Sequence, residues 1–160
     1  MGFSSQCKHL FFGEQTVTKF FSTKQYQNAL YRVTYDYHPL LDLQEIPSVP
    51  KIYGYKRNTF VVMERCYGTL WSTLSKKEEN EVKVWLYPAM EEHYISCIKR
   101  GWVPQDVKKE HVFLNLLNQT IKVIDYGRYL SSQHVYYQML QFSLEEWIRY
   151  KRKELDELFS

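Results

Sequence analysis

The sequence predicts a single α+β domain, in which a small antiparallel β-sheet with one helix precedes a mainly helical half. Short aromatic and β-branched runs broken by polar turns dominate residues 1–65. Two long segments with helical periodicity dominate residues 66–160. With 160 residues, of which 44% are hydrophobic and 24% charged, the chain has the size and composition of one globular domain rather than of a disordered protein.

A β-hairpin and a helix are predicted at the start of the chain. His9–Phe12 and Gln15–Phe21 are strand-like runs on either side of Gly13-Glu14, which is a turn signal. Apolar residues at helical spacing over Thr23–Tyr35 predict the helix. We expect this helix to end before His38-Pro39, because a residue that precedes proline avoids the helical region.

Two further strands complete the predicted front half. Ile52–Tyr55 and Thr59–Glu64 flank a polar turn, and the second run is apolar enough to be fully buried. We interpret the segment Glu64–Gly68 as a hinge between the sheet-rich front half and the helical back half.

The back half is predicted to contain a long helix and a second hairpin. The helix covers about Glu79–Lys99, with Gly101 as its stop signal and Pro88 as a kink or a restart. Its apolar stripe consists of Val82, Trp85, Leu86, Ala89, Met90, His93 and Cys97. The hairpin pairs Val112–Leu117 with Ile121–Ile124 across a polar turn.

A last helix over 143–159 is predicted from a capping box formed by Ser143 and Glu146. Its basic run Arg149–Lys153 raises the alternative of a module that binds nucleic acid or an acidic membrane surface. Acidic residues follow within two turns and favour a solvated helix face instead. The net charge of +3 is mild, and basic and acidic residues are interleaved, so a nucleic-acid partner is not expected.

Cysteine usage and hydropathy predict an intracellular, cytoplasmic protein without a membrane span. The three cysteines are scattered and form no CxxC pair, so neither a disulfide framework nor a structural zinc site is expected. No apolar run approaches the ~20 residues that a membrane-spanning helix needs. The first ten residues also lack the pattern of a signal peptide.

Asp106 and Asp125 are the leading candidates for function, because each begins a turn at one edge of the predicted back hairpin. Asp125 directly follows a buried strand and precedes Gly127 by two residues. A strand holds such a carboxylate rigidly and the glycine lets the chain turn away, as a metal–phosphate site requires. An isolated pattern of this kind is more often an ordinary turn, and the pairing with Asp106 favours the functional interpretation.

At these positions the sequence resembles the protein-kinase-like superfamily. The family's catalytic loop, HRDLKxxN, and its DFG turn correspond to residues 104–111 and 125–127. Thr16–Lys19 stands where the family has the strand that carries its lysine. Phe60–Cys66 looks like the buried strand that leads into the adenine-binding hinge.

The resemblance extends over about Leu10–Tyr129 and implies a truncated bilobal protein-kinase-like fold. The N-lobe, at about 1–65, would be a small antiparallel sheet with one helix. The C-lobe, at 66–160, would be reduced and mainly helical, because the family's APE segment and lower-lobe helices have no counterpart in the last residues.

The resemblance also implies a role for each matched residue. Lys19 would contact the α- and β-phosphates of ATP, and Lys108 would neutralise the transferring phosphoryl group. Asp106 would orient or deprotonate the attacking hydroxyl, and Asp125 would hold Mg²⁺ or Mn²⁺. His111 stands at the position of a metal-binding Asn and would be a second ligand, with a hairpin-corner histidine as the alternative.

Three hinge residues would form the adenine side of the site. Met63 would close the back of the pocket, while the Glu64 carbonyl and the Cys66 backbone would meet the edge of the base. Cys66 and Cys97 are otherwise interpreted as small buried hydrophobic residues.

Two functions are consistent with these residues. The first is a minimal kinase that uses ATP and a divalent metal ion to phosphorylate a hydroxyl on a protein, at Ser or Thr, or on a small molecule. The second is a catalytically impaired pseudokinase that acts as a protein-binding regulator. Departures from the family motivate the second: no Glu on the predicted front helix, His111 in place of Asn, and too few residues before His9 for a Gly-rich loop.

The reduced C-lobe also bears on partners. Only 128–141 is available between the DFG-like turn and the last helix, which leaves little room for a platform that binds a peptide acceptor. The sequence therefore suggests a homodimer or another protein partner that completes the lobe. Tyr136-Tyr137 and Phe142 form the candidate contact patch.

Overall fold

The computed structural model describes residues 7–21, 37–57, 59–131 and 142–160. The strands are β1 (Cys7–Phe12), β2 (Thr16–Phe21), β3 (Ile52–Lys56), β4 (Phe60–Glu64), β5 (Thr69–Leu70), β6 (Trp102–Val103), β7 (Val112–Asn115), β8 (Thr120–Val123) and β9 (Leu130–Ser131). The helices are α1 (Tyr37–Asp42), α2 (Lys76–Lys99) and α3 (Leu144–Leu158). The predicted helix over Thr23–Tyr35 lies outside the described residues, apart from its expected end.

The front half of the fold is one antiparallel sheet with strand order β1-β2-β4-β3, so both predicted front hairpins are confirmed. In β2 the side chains alternate between the two faces of the sheet, and Lys19 and Phe21 are buried. Lys19 lies opposite Val61 of β4, and Val17 lies opposite Met63. This register places the lysine on the face of the sheet that packs on the core.

The premise that the residue before proline avoids the helical region does not hold at His38. Helix α1 begins at Tyr37, so Pro39 lies in the first turn, where its missing N–H would have no partner within the helix. After α1 the chain continues through tight turns that bury Leu43, Ile46 and Val49. The segment fills the space between the front sheet and the back half.

Helix α2 begins three residues earlier than predicted and continues through Pro88 without interruption. Ser75 caps it: the Glu78 N–H donates to the Ser75 hydroxyl (3.2 Å), and the Ser75 N–H donates to the Glu78 carboxylate (2.7 Å). The predicted apolar stripe is correct, since its members are buried or packed against the core.

The back half contains the predicted β7–β8 hairpin, with β5 paired on the other side of β7. A separate two-stranded ribbon joins β6 to β9. Gly68, just before β5, has φ of +127°, and a Cβ at this position would overlap the Leu114 carbonyl oxygen. The hinge therefore passes so close to β7 that only glycine fits there.

Helix α3 begins at the predicted Ser143–Glu146 capping box and packs along α2. The Tyr87 hydroxyl donates to Asp156 (2.6 Å), and Arg152 pairs with Glu91 (2.9 Å). None of the helices in the described ranges combines the length and the apolar character needed to span a membrane.

Two surface predictions for this region need revision. The basic run is only partly solvated, because Lys151 is buried and donates to Glu154 (2.8 Å), although its basic neighbours are exposed. Phe142 is half-buried and packs against Trp147 with 4.9 Å between ring centroids, so the protein's own core covers part of this side chain. Tyr136-Tyr137 lies outside the described residues.

Candidate active site

Asp125 stands at the end of β8, and its two carboxylate oxygens contact side chains from different parts of the fold. The Nζ atom of Lys19, from the front sheet, lies 3.6 Å from Oδ1. The Nε2 atom of His111, from the turn before β7, lies 3.3 Å from Oδ2. Lys19 is buried and Asp125 is 28% exposed, so this carboxylate connects the front sheet to the back hairpin while remaining accessible.

The backbone is strained at both candidate aspartates. Asp106 has φ of +56° and Asp125 has φ of +67°, in the left-handed region that costs a non-glycine residue about 1 kcal/mol or more. Aspartate tolerates this region better than most residues do. Unusual backbone conformations concentrate at functional sites, so their presence at these two positions is consistent with a site here.

A buried aromatic cluster fixes the chain after Asp125. The rings of Tyr126 and Tyr129 lie 4.5 Å apart, and both are buried. The Tyr129 hydroxyl contacts Nε2 of His93 in α2 (2.9 Å), and Nδ1 of His93 contacts the Ser48 hydroxyl (2.7 Å). Burial lowers the pKa of His93 to about 3, so this histidine is neutral.

The contacts of His111 define its hydrogen-bonding state. Nδ1 accepts from the backbone N–H of Lys108 at 3.3 Å. A neutral imidazole that accepts at Nδ1 carries its proton on Nε2. In this tautomer His111 therefore donates to Asp125 and has no lone pair directed toward it.

Asp106 lies between two half-exposed cations. Lys108 Nζ is 3.6 Å from Oδ1, and Arg128 Nε is 3.6 Å from Oδ2. Lys108 is thus connected to Asp106 through its side chain and to His111 through its backbone. A continuous series of contacts runs from Lys19 through Asp125, His111 and Lys108 to Asp106.

A second polar cluster anchors the segment 104–111 to α2. The carboxylate of Glu79 accepts from Lys109 Nζ (2.6 Å), Trp71 Nε1 (2.7 Å) and Lys76 Nζ (2.9 Å). Burial alone would raise the pKa of Glu79, but these hydrogen bonds outweigh it and lower the pKa to about 2. Glu79 therefore stays ionised and holds Lys109, three residues after Asp106.

The predicted adenine-side residues lie along the end of β4 and the hinge. Met63 is buried, and the Glu64 carboxylate pairs with Lys122 of β8 at 3.1 Å. The Cys66 thiol lies 4.0 Å from the Glu64 carbonyl oxygen, and burial, with the charge of Glu64, raises its pKa to about 12. Cys66 is only half-buried, whereas Cys97 is fully buried as expected.

Hinge residues that the sequence did not single out also fasten the turn between β1 and β2. The Arg65 Nη1 group donates to the Gly13 carbonyl (2.8 Å), and the Tyr67 hydroxyl donates to the Glu14 carbonyl. The Arg65 guanidinium also lies over the rings of Phe12 (5.3 Å) and Tyr67 (5.1 Å). The turn is therefore held against the hinge.

The side chains around Asp125 fit a divalent metal ion that is bound together with phosphate groups. Among the described residues, no group of three or more His, Cys, Asp or Glu side chains is placed to hold a metal ion. Mg²⁺ in nucleotide sites is typically held by one or two carboxylates, and substrate phosphates and water complete its coordination. The accessible carboxylate of Asp125 fits that arrangement, in which the protein supplies only part of the coordination.

The structure thus brings Lys19, Asp125 and His111 into direct contact, and joins Asp106 to Lys108. It places Met63, Glu64 and Cys66 together along the hinge. The sequence interpretation missed Arg128, Glu79 and His93. Arg128 directly follows the matched 125–127 turn and could have been noticed there, whereas the other two are recognised only from contacts between distant segments.

Comparison with solved structures identifies the fold. WbdD, in a co-crystal structure with the kinase inhibitor LY294002, aligns with a TM-score of 0.55 at 20% identity over 93% of this chain and 42% of that chain. The Cydia pomonella granulovirus kinase PK-1 aligns with a TM-score of 0.55 at 17% identity over 74% of this chain and 47% of its own. The Chaetomium thermophilum Rio2 kinase, in an ADP/Mg²⁺-phosphoaspartate complex, aligns with a TM-score of 0.61 at 13% identity over 95% and 54%.

The chain therefore has a protein-kinase-like fold in a truncated form, and it spans about half or less of the length of these proteins. No family model matches the sequence, and no curated protein matches it.

Proposed function

We propose that this chain is an ATP- and divalent-metal-dependent kinase that transfers phosphate to a hydroxyl group. The observation that carries the proposal is the series of contacts from Lys19 through Asp125, His111 and Lys108 to Asp106. It connects a buried ammonium group of the front sheet with two carboxylates of the back half. The kinase-like fold of the solved structures supports the same reaction type.

The proposed role of each residue follows from its charge and its position. Phosphoryl transfer requires mainly alignment and neutralisation of negative charge. Lys19 binds the α- and β-phosphates, and Lys108 neutralises the group in transfer. Asp125 binds Mg²⁺ or Mn²⁺, an ion that supplies positive charge to the phosphate oxygens when bound.

Asp106 is the proposed base of the reaction. The acceptor oxygen forms a bond to the γ-phosphorus while the bond from that phosphorus to the β–γ bridging oxygen breaks. ADP leaves with the electron pair of the broken bond, and Asp106 takes the proton of the hydroxyl. The positive φ at Asp106 sets the direction in which its side chain leaves the backbone, and Lys108 and Arg128 contact its two oxygens.

The predicted role of His111 as a second metal ligand requires a change of its tautomer. Ligation through Nε2 requires the proton to move to Nδ1, and the contact from the Lys108 N–H would then be lost. In the arrangement described here, His111 orients the Asp125 carboxylate by donating to it.

The adenine side of the site is proposed at the hinge, between the lobe at about 1–65 and the lobe at 66–160. Met63 closes the back of the pocket, and the Glu64 carbonyl and Cys66 N–H face the base. The described free thiols, Cys66 and Cys97, agree with a reducing intracellular location, where ATP is available.

A catalytically impaired pseudokinase is the second candidate. The contact between Lys19 and Asp125 favours it, because each of these groups partly neutralises the other when no nucleotide is bound. Such a protein would bind nucleotide or a protein partner without transferring phosphate.

Thermal unfolding with nucleotide and metal tests binding first. With ATP and Mg²⁺ or Mn²⁺ at a hundred times the dissociation constant, the native state gains about 2.7 kcal/mol, which raises Tm by several degrees. We expect Asp125→Asn to remove the metal-dependent part of this shift, because asparagine tolerates positive φ but lacks the charge. Asp156→Asn, on α3, is the matched control and should retain the shift.

Transfer is then measured with γ-labelled ATP as autophosphorylation and phosphate release. We expect Asp106→Asn to slow transfer by roughly 10²–10⁴-fold while nucleotide binding persists. Binding with no transfer by the wild-type protein would support the pseudokinase. No thermal shift with any nucleotide and metal would remove both nucleotide-binding proposals.

A further inference from the structure

The two cations beside Asp106 differ from the other basic groups of the site in their accessibility. The side chains of Lys108 and Arg128 are each 52% exposed, whereas that of Lys19 is 9% exposed. Lys109 is 32% exposed and is held by Glu79 at 2.6 Å. Lys108 and Arg128 are therefore the basic side chains of this cluster that a second molecule can reach most easily.

The ion pairs that Lys108 and Arg128 form with Asp106 have long N···O distances. Both N···O distances are 3.6 Å, compared with about 2.8 Å for a strong charge-assisted hydrogen bond. Half-exposed ion pairs of this kind contribute little to stability. Two positive charges and one negative charge leave a net charge of +1 around the Asp106 carboxylate.

Arg128 also keeps most of its donors available. It approaches Asp106 through Nε, and within the described ranges its side chain has no other polar partner. Its terminal nitrogens therefore keep their N–H groups for a planar anion, which guanidinium binds in bidentate fashion. Arg128 directly follows Gly127, so its position is tied to that of Asp125.

We propose that Lys108 and Arg128 form a subsite for an anionic group on the acceptor, a phosphate or a carboxylate close to the hydroxyl that is phosphorylated. This inference rests on the proposed function and specifies its substrate class. Lys108 and Arg128 each lie 3.6 Å from one oxygen of Asp106, so an anion next to a hydroxyl bound at Asp106 gains two favourable contacts. A neutral acceptor gains neither.

The test measures binding of small probes without nucleotide. Glucose 6-phosphate is compared with glucose, and a short Glu-flanked Ser peptide is compared with its Gln-flanked counterpart. Titrations are followed by NMR through the backbone N–H signal of Gly127, next to Arg128, which is present in the wild-type protein and in every variant. We expect at least one anionic probe to bind about tenfold more tightly than its neutral counterpart. The two pairs distinguish a small phosphorylated acceptor from an acidic peptide segment.

Arg128→Gln should remove most of this preference. Arg152→Gln is the matched control, since Arg152 is 51% exposed and also pairs with one carboxylate, Glu91, and it should leave the preference intact. Equal binding of charged and neutral probes, binding of none of them, or a preference that survives in Arg128→Gln would overturn the proposal.

A second measurement separates the acceptor subsite from the nucleotide site. The titration is repeated with saturating ADP and Mg²⁺, and the preference should remain. Loss of the preference for anionic probes would assign Arg128 to the nucleotide phosphates, and it would overturn the proposal that Arg128 binds the acceptor. Because the first titration uses no nucleotide, it can fail while ATP binding succeeds, or succeed while ATP binding fails.

Discussion

His93 is a buried histidine whose ring nitrogens both have polar contacts, one with Ser48 and one with Tyr129. Burial lowers its pKa from 6.5 to about 3 in the folded protein. Below pH 6.5 the unfolded chain binds a proton here that the folded protein does not bind. The contribution of neutral His93 to the free energy of unfolding is therefore greatest above pH 6.5, and it decreases as the pH falls toward 3.

We predict that the wild-type protein loses about 2 kcal/mol of unfolding free energy through this group between pH 7 and pH 5. Urea unfolding at several pH values measures the slope. His93→Gln should be less stable at pH 7 but should show a shallower decrease. Glu79, with a pKa lowered to about 2, contributes mainly below pH 4.5 and does not obscure this range. Parallel slopes for the two proteins would contradict the assignment.

Among single residues, the sequence could reveal a candidate site residue only where that residue belongs to a continuous motif. Lys19, Asp106 and Asp125 were singled out because a strand or turn next to each gives it a recognisable local pattern, and their catalytic roles stay predictions. The contacts of Glu79 with Trp71 and Lys109, and of His93 with Ser48, join residues 8 to 45 positions apart in the chain, and one sequence does not display such pairings.

At the scale of elements, the hairpins and long helices were predictable because their periodicity extends over many residues. Strands β5, β6 and β9 have two residues each, too few to show a period. The start of α2 was missed although Ser75 and Glu78 form a capping box that the sequence displays. The position of α1 was missed because proline was taken as the end of a helix rather than part of its first turn.

Gly68 gives a prediction for the hinge. Alanine there would require positive φ and would place a Cβ against the Leu114 carbonyl, so we expect a loss of at least about 2 kcal/mol. Gly54→Ala in β3 is the control, because a Cβ there meets nothing within 4 Å, and its effect should stay within about 0.5 kcal/mol. Chemical denaturation compares the two variants, and similar losses would show that the hinge does not require glycine.

For the whole molecule, the two-lobed order of elements followed from the sequence, but the role of the last helix did not. Helix α3 matched no part of the kinase pattern and was predicted only from its cap and periodicity. It proves to be part of the core, since Trp147, Leu155 and Phe159 are buried. Helix α3 covers α2 in this fold.

The contacts of Phe159 indicate that α3 also supports the candidate site. Its ring lies 4.7 Å from Trp71, and its carbonyl accepts from Lys76 (3.0 Å). Trp71 and Lys76 both donate to Glu79, which in turn holds Lys109. We predict that Phe159→Ala costs about 3–5 kcal/mol in unfolding free energy, through lost burial and the cavity that remains.

Leu117→Ala is the control for this variant, because Leu117 is 91% exposed and its loss should cost less than about 0.5 kcal/mol. Urea unfolding gives both values. If Phe159→Ala is still folded, hydrogen exchange should increase at the Lys109–His111 turn, because the cluster around Glu79 loses part of its support. Faster exchange confined to α3 would show instead that the helix stabilises the C-lobe without reaching the turn that contains Lys109 and His111.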